Sequence, residues 1–72
     1  MKGFLMEDIC ARVGFNIRKI RERKKLSQEQ VANFADLHRA YMGQIERGEK
    51  NIGLKNLEKI AKALKVNIKE FF

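Results

Sequence analysis

Arg39, Tyr41 and Gln44 stand at the start of one short segment and one turn further on, and they are side chains of the kind that read nucleic-acid bases. An arginine fork pairs bidentately with guanine, a glutamine amide pairs with adenine, and a tyrosine reaches a phosphate or a thymine methyl group. Upstream, Gln28 can offer its amide and its backbone N–H to a phosphate near the positive end of a helix. Downstream, Lys50 and Asn51 are further candidates for backbone contact. Each of these residues alone is equally well explained as ordinary solvated surface. Their common arrangement around one apolar mask favours DNA.

That mask is Val31, Ala32, Ala35, Leu37, Met42 and Ile45, which suits two short helices crossing steeply, with small Ala32 where the backbones approach. Ser27 with Gln30 three residues on is a capping box that starts a helix over 28–35. Asp36 tolerates a left-handed turn conformation, so that helix ends there. A second helix over 39–47 follows, closed by Gly48 in a left-handed cap position. Gly43 costs this helix stability; close approach of backbone to a partner would explain it, and neutral drift explains it as well.

Around this pair the chain supplies supporting helices. Ile9, Val13, Ile17 and Ile20 recur at helical spacing and predict a helix over 7–24 capped by Asp8, weakened in its middle by Gly14 by up to about 1 kcal/mol. Its outer residues Arg18, Lys19, Arg23, Lys24 and Lys25 read as a solvated face before they read as phosphate contacts. Leu54, Leu57, Ile60, Ala61 and Leu64 predict an amphipathic helix over 54–64 with Gly53 as a weak N-cap. Asn67 caps a last short helix over 67–71. Residues 1–6 have no periodicity and read as a frayed end, with Phe4 and Leu5 available to pack on a neighbour. The expected fold is all-α, a compact five-helix arrangement in one domain.

Composition narrows the function classes. The chain has 72 residues, and a domain of that size buries only about 60% of its unfolded surface, so a second core is excluded. The net charge of +7 suits a polyanionic partner, although solubility alone would also explain it. With one cysteine, Cys10, no intrachain disulfide is possible, and a cytoplasmic address is expected. No apolar run is long enough to span a bilayer and no signal-like segment is evident, so the chain reads as soluble and unprocessed. Lone His38 and lone Cys10 lack partners at catalytic or metal-ligand spacing, so no catalytic residue, metal or cofactor is expected. Neither a membrane nor a small-molecule ligand is expected as a partner.

The stretches LSQEQVANFADLHRAYMGQIERGEKNI and LKNLEKIAKAL resemble the lambda-repressor-like, Cro/C1-type helix-turn-helix family over 13–72. Within it the LHRAY segment, the short length and the tail ending at Phe72 most resemble the controller proteins of restriction–modification systems. The resemblance implies base contacts at Arg39, Ala40, Tyr41 and Gln44, and phosphate contacts at Gln28, Lys50, Asn51 and Asn56. Ala40 replaces a common threonine and can still touch a thymine methyl group. It also implies a structural ion pair between Arg21 and Glu46. The implied partners are double-stranded operator DNA, a second copy of the chain, and RNA polymerase where the regulator activates. One recognition helix spans only a few base pairs, so a dimer is also expected on functional grounds. The tail residues Val66, Ile68, Phe71 and Phe72 are the expected interface, with Val66 and Phe71 also able to close the monomer core. The competing readings are a regulator of another system, such as a phage-type repressor or an antitoxin, and a protein-docking module.

Overall fold

Asp8 accepts the backbone N–H of Cys10 at 2.9 Å and so starts α1 (Ile9–Arg23) in the computed structural model, which describes residues 8–72. The expected role of residues 1–6, with Phe4 and Leu5, lies outside the described residues. Ser27 and Gln30 exchange side-chain and backbone hydrogen bonds at 3.0 and 2.8 Å, the capping box that opens α2 (Gln28–Ala35). After α3 (Arg39–Glu46) and α4 (Leu54–Leu64), a terminal 3-10 turn (Ile68–Phe71) completes the described order.

The four α-helices of the described residues close in the same way. A left-handed residue follows each, at Lys25 (φ 61°), Asp36 (φ 59°), Gly48 (φ 74°) and Lys65 (φ 59°). In each case the next residue's N–H returns to a carbonyl five positions back, as from Leu37 to Ala32 at 2.8 Å and from Val66 to Ala61 at 3.0 Å. These are Schellman closures, which satisfy carbonyls that the helix end leaves open. They turn the chain sharply enough to fold short helices around one core. At Gly48 a side chain is excluded twice over, because a Cβ would also lie 2.7 Å from the Cα of Ala11.

The expected fifth helix is a 3-10 turn instead. Asn67 caps it by accepting from Lys69, but its backbone bonds span three residues and the segment is too short to propagate an α-helix. Its last residue is nonetheless central: Phe71 is fully buried in the same core as Ile17, Met42, Ile45, Ile60 and Leu64. Asn16 of α1 fixes this turn by donating to the Phe71 carbonyl at 2.9 Å.

Two further expectations change. Gly14 is the point where α1 lies directly on the end of α3, since a Cβ there would stand 2.2 Å from the Ile45 carbonyl oxygen. The glycine therefore permits this close crossing, which offsets its propensity cost. Leu54, placed by its spacing on the inner face of α4, is instead 76% exposed. It lies on the helix's first turn, beyond the part that Leu57, Ile60, Ala61 and Leu64 bury. Among the described residues no helix is long and apolar enough to cross a membrane.

Candidate nucleic-acid interface

The Schellman turn at Asp36 delivers the chain to His38, the N-cap of α3, and so sets the angle between α2 and α3. On the inner side of α3, Met42 and Ile45 enter the core. On the outer side Arg39 and Ala40 are exposed, and Tyr41 and Gln44 are half-buried. The structure thus brings together the four residues expected to reach bases. Lys50 and Asn51 are exposed in the loop that leaves α3.

Beneath this face lies a closed polar knot. Arg21 of α1 donates from Nε to Glu46 Oε2 at 2.7 Å and from Nη2 to Glu46 Oε1 at 3.0 Å. Its Nη1 donates to the Leu26 carbonyl at 2.7 Å. The Glu46 side chain is only 2% exposed, so water cannot substitute for these donors. The Arg21 guanidinium is held above its usual pKa, chiefly by the hydrogen bond to Glu46, against an opposing effect of burial. Among the described residues no buried side-chain polar atom lacks a partner.

Gln28 belongs partly to this knot. Its Nε2 donates to Glu46 Oε1 at 2.9 Å, so the amide expected to face a phosphate is turned inward on one side. The backbone N–H groups that open α2 remain available to an anion. A Cβ on Gly43 would lie 3.2 Å from Nη1 of the exposed Arg47 side chain and in ordinary contact, 3.5 Å, with Gln28 Oε1, so intramolecular packing does not require a glycine there.

Asn56, expected at a phosphate, donates from Nδ2 to the Tyr41 hydroxyl at 3.1 Å, tying the first turn of α4 to α3. Arg47 and Glu49 form an exposed pair at 2.8 Å, which holds the Glu49 carboxyl below its usual pKa through the hydrogen bond from Arg47. The basic outer face of α1 is solvated, and Arg18 there pairs with Glu22 at 3.0 Å.

A second surface lies on the tail and α4. Phe71, expected at an interface, is enclosed by the monomer core; Val66 and Ile68 are half-buried and Phe72 is exposed. Leu54, Val66 and Ile68 border a groove of about 470 Å³, and Leu54 with Phe72 and Ile9 borders another of about 170 Å³. Sequence spacing hid Leu54 because a helix's first turn can extend past the core while keeping the core's period. Among the described residues no cluster of His, Cys, Asp or Glu is placed to hold a metal ion.

Comparison with known proteins agrees with this geometry. A family model described as helix-turn-helix matches residues 17–71. The chain is 44% identical over 68 residues to Control protein C.MunI of a Mycoplasma species, an alignment covering 93% of this chain and 92% of that protein. The restriction-modification controller protein C.AhdI from Aeromonas hydrophila superposes with a TM-score of 0.86 at 40% identity, covering 88% of this chain and 96% of that one. C.Esp1396I, in a structure bound to a 25 base pair operator site, superposes with a TM-score of 0.82 at 39% identity, covering 92% and 87% of the two chains.

Proposed function

Because the chain belongs to the helix-turn-helix control proteins of restriction–modification systems, we propose that it binds paired operator half-sites as a dimer and controls restriction–modification genes, its own among them. It is a DNA-binding regulator of transcription and not an enzyme. The observation that carries the operator reading is the contrast across α3, whose inner polar groups are fully occupied while Arg39 and Gln44 carry no side-chain hydrogen bond among the described residues. Donors held on a rigid support and left open are what a major groove requires.

In this reading α3 enters the major groove. Arg39 takes a guanine, Gln44 an adenine, and Ala40 meets a thymine methyl group. Lys50 and Asn51 hold the phosphates on one flank. The N–H groups at the start of α2, with whatever of the Gln28 amide is not given to Glu46, hold them on the other. The half-exposed apolar surface of Leu54, Val66, Ile68 and Phe72 joins two copies, and the join sets the distance between their reading helices at about one DNA turn. RNA polymerase is the further partner that activation from such a site would require.

The test is binding of the purified chain to duplex DNA from upstream of its own gene, across a range of salt. Affinity falls steeply with salt yet keeps its preference over unrelated DNA. Arg39→Ala relaxes discrimination at one base pair of each half-site by about 1–3 kcal/mol. Equal weakening on every sequence would make Arg39 a phosphate contact and remove it from the reading set.

A further inference from the structure

Asn56 sits in the first turn of α4 next to buried Leu57, so its side chain is carried by a part of the molecule that cannot shift without disturbing the core. From there its Nδ2 donates to Tyr41 Oη at 3.1 Å. The Tyr41 ring rests partly against the core, which limits the side chain's remaining freedom. A phenol carries one proton. When its oxygen accepts from an amide N–H on one side, that proton is directed to the other. For Tyr41 the other side is the outer face of α3.

We propose that Asn56 is a specificity-determining positioning residue, which holds Tyr41 as an outward-pointing hydrogen-bond donor and so selects the base that the recognition helix accepts there. The inference rests on the reading in which α3 enters the groove. A fixed donor suits guanine N7 and O6, thymine O4 or adenine N7, and it is opposed most fully by cytosine, whose one polar major-groove group is an amino donor. Without Asn56 the hydroxyl rotates freely and can present either its proton or a lone pair, so the discrimination fades although the tyrosine remains.

The assignment differs from a phosphate role for Asn56 in what it requires of the DNA. A phosphate contact strengthens every sequence alike, whereas a group acting through Tyr41 acts on one base pair. It also differs from a purely structural bond between α3 and α4, which would alter stability without altering the pattern of base preference.

The experiment uses the full chain and an operator duplex together with duplexes in which each base pair of a half-site is replaced in turn. Wild type, Tyr41→Phe, Asn56→Leu, Asn56→Asp and the double variant Tyr41→Phe with Asn56→Leu are compared. Tyr41→Phe and Asn56→Leu each lose about three- to tenfold discrimination at the same base pair, the span of one net hydrogen bond, and leave the other positions unchanged. The double variant loses no more than Tyr41→Phe alone. Asn56→Asp replaces the donor by an acceptor, reverses the hydroxyl, and moves the preference at that base pair toward an amino-bearing base. It also serves as the folded comparison should Asn56→Leu prove unstable. Weakening by one common factor on all duplexes, additive losses in the double variant, or an unchanged preference profile in both Asn56 variants would overturn the assignment. Failure of the wild type to prefer its operator would instead strike at the DNA reading itself.

Discussion

The two faces of α3 share one helix and one set of backbone constraints, yet their polar groups are in opposite states. On the inner side Glu46 receives Arg21 twice and Gln28 once and is sealed from water. On the outer side Arg39 is exposed, and its fork is unpaired among the described residues. The difference separates two tasks that a small protein must perform with few residues. A closed knot fixes the position and tilt of the helix, so the open donors have only their own side-chain freedom to lose when they meet a base, the backbone being already ordered. Changes on the inner face should therefore be read in stability, and changes on the outer face in sequence preference.

The sharpest attempt to break this division is Glu46→Ala. It leaves the Arg21 guanidinium buried without its counter-charge, and the expected loss is about 3–5 kcal/mol in urea unfolding. Replacing both partners with apolar residues, as in Arg21→Met with Glu46→Leu, should recover much of that loss, because the cost arises from the orphaned charge. If Glu46→Ala unfolds within about 1 kcal/mol of wild type, the knot is not the support inferred here.

The surface of α4 and the tail tests the division differently, because it is exposed like the outer face and apolar like the inner one. Leu54→Ala with Phe72→Ala removes side chains that are 76% and 56% exposed in the monomer, so unfolding of the isolated subunit should change little. Self-association should weaken by about 10- to 100-fold, consistent with the loss of one or two buried apolar side chains across an interface. Sedimentation over a concentration series measures this, and an unchanged dimer would place the subunit contact elsewhere.

Gly14→Ala comes next in size. An exposed helical glycine would gain stability on becoming alanine, by up to about 1 kcal/mol. Here the new methyl would meet the Ile45 carbonyl at 2.2 Å, and the crossing of α1 on α3 must open. A net loss of about 1–3 kcal/mol in thermal unfolding is expected. A gain would show that α1 can shift without disturbing the inner face of α3.

What the sequence made legible follows the range over which each signal acts. The capping box at Ser27, the turn at Asp36 and the closure at Gly48 are local, and residue type alone announces them. The α2–α3 mask and the outer residues of α3 were equally readable, because period and polarity are carried by neighbours. The left-handed lysines Lys25 and Lys65 were not, since lysine has no preference for that conformation and takes it only where tertiary packing imposes it. Neither the inward turn of Gln28 nor the reach of Asn56 to Tyr41 has any sequence signature; the latter joins residues that only the fold brings together. Arg21 and Glu46 became a pair only through family resemblance. The exposure of Leu54 escaped because periodicity reports a helix's face and not where along its length the core ends.

The smallest expected effect concerns Gly53, which starts α4 with φ −75° and ψ 159° and no side-chain cap. Those angles are ordinary for serine, and a Cβ there would meet nothing within 4 Å. Gly53→Ser adds a hydroxyl that can accept from the first free N–H groups of α4, and it reduces the freedom of the unfolded chain. Together these should stabilise the protein by about 0.5–1 kcal/mol, read as a rise in Tm. The position lies off both faces of α3, so base discrimination should stay as it was. A variant that gained stability while changing its base preference would show that the first turn of α4 adjusts Tyr41 through Asn56 as a whole, and that inner support and outer reading are less separable than the contrast across α3 implies.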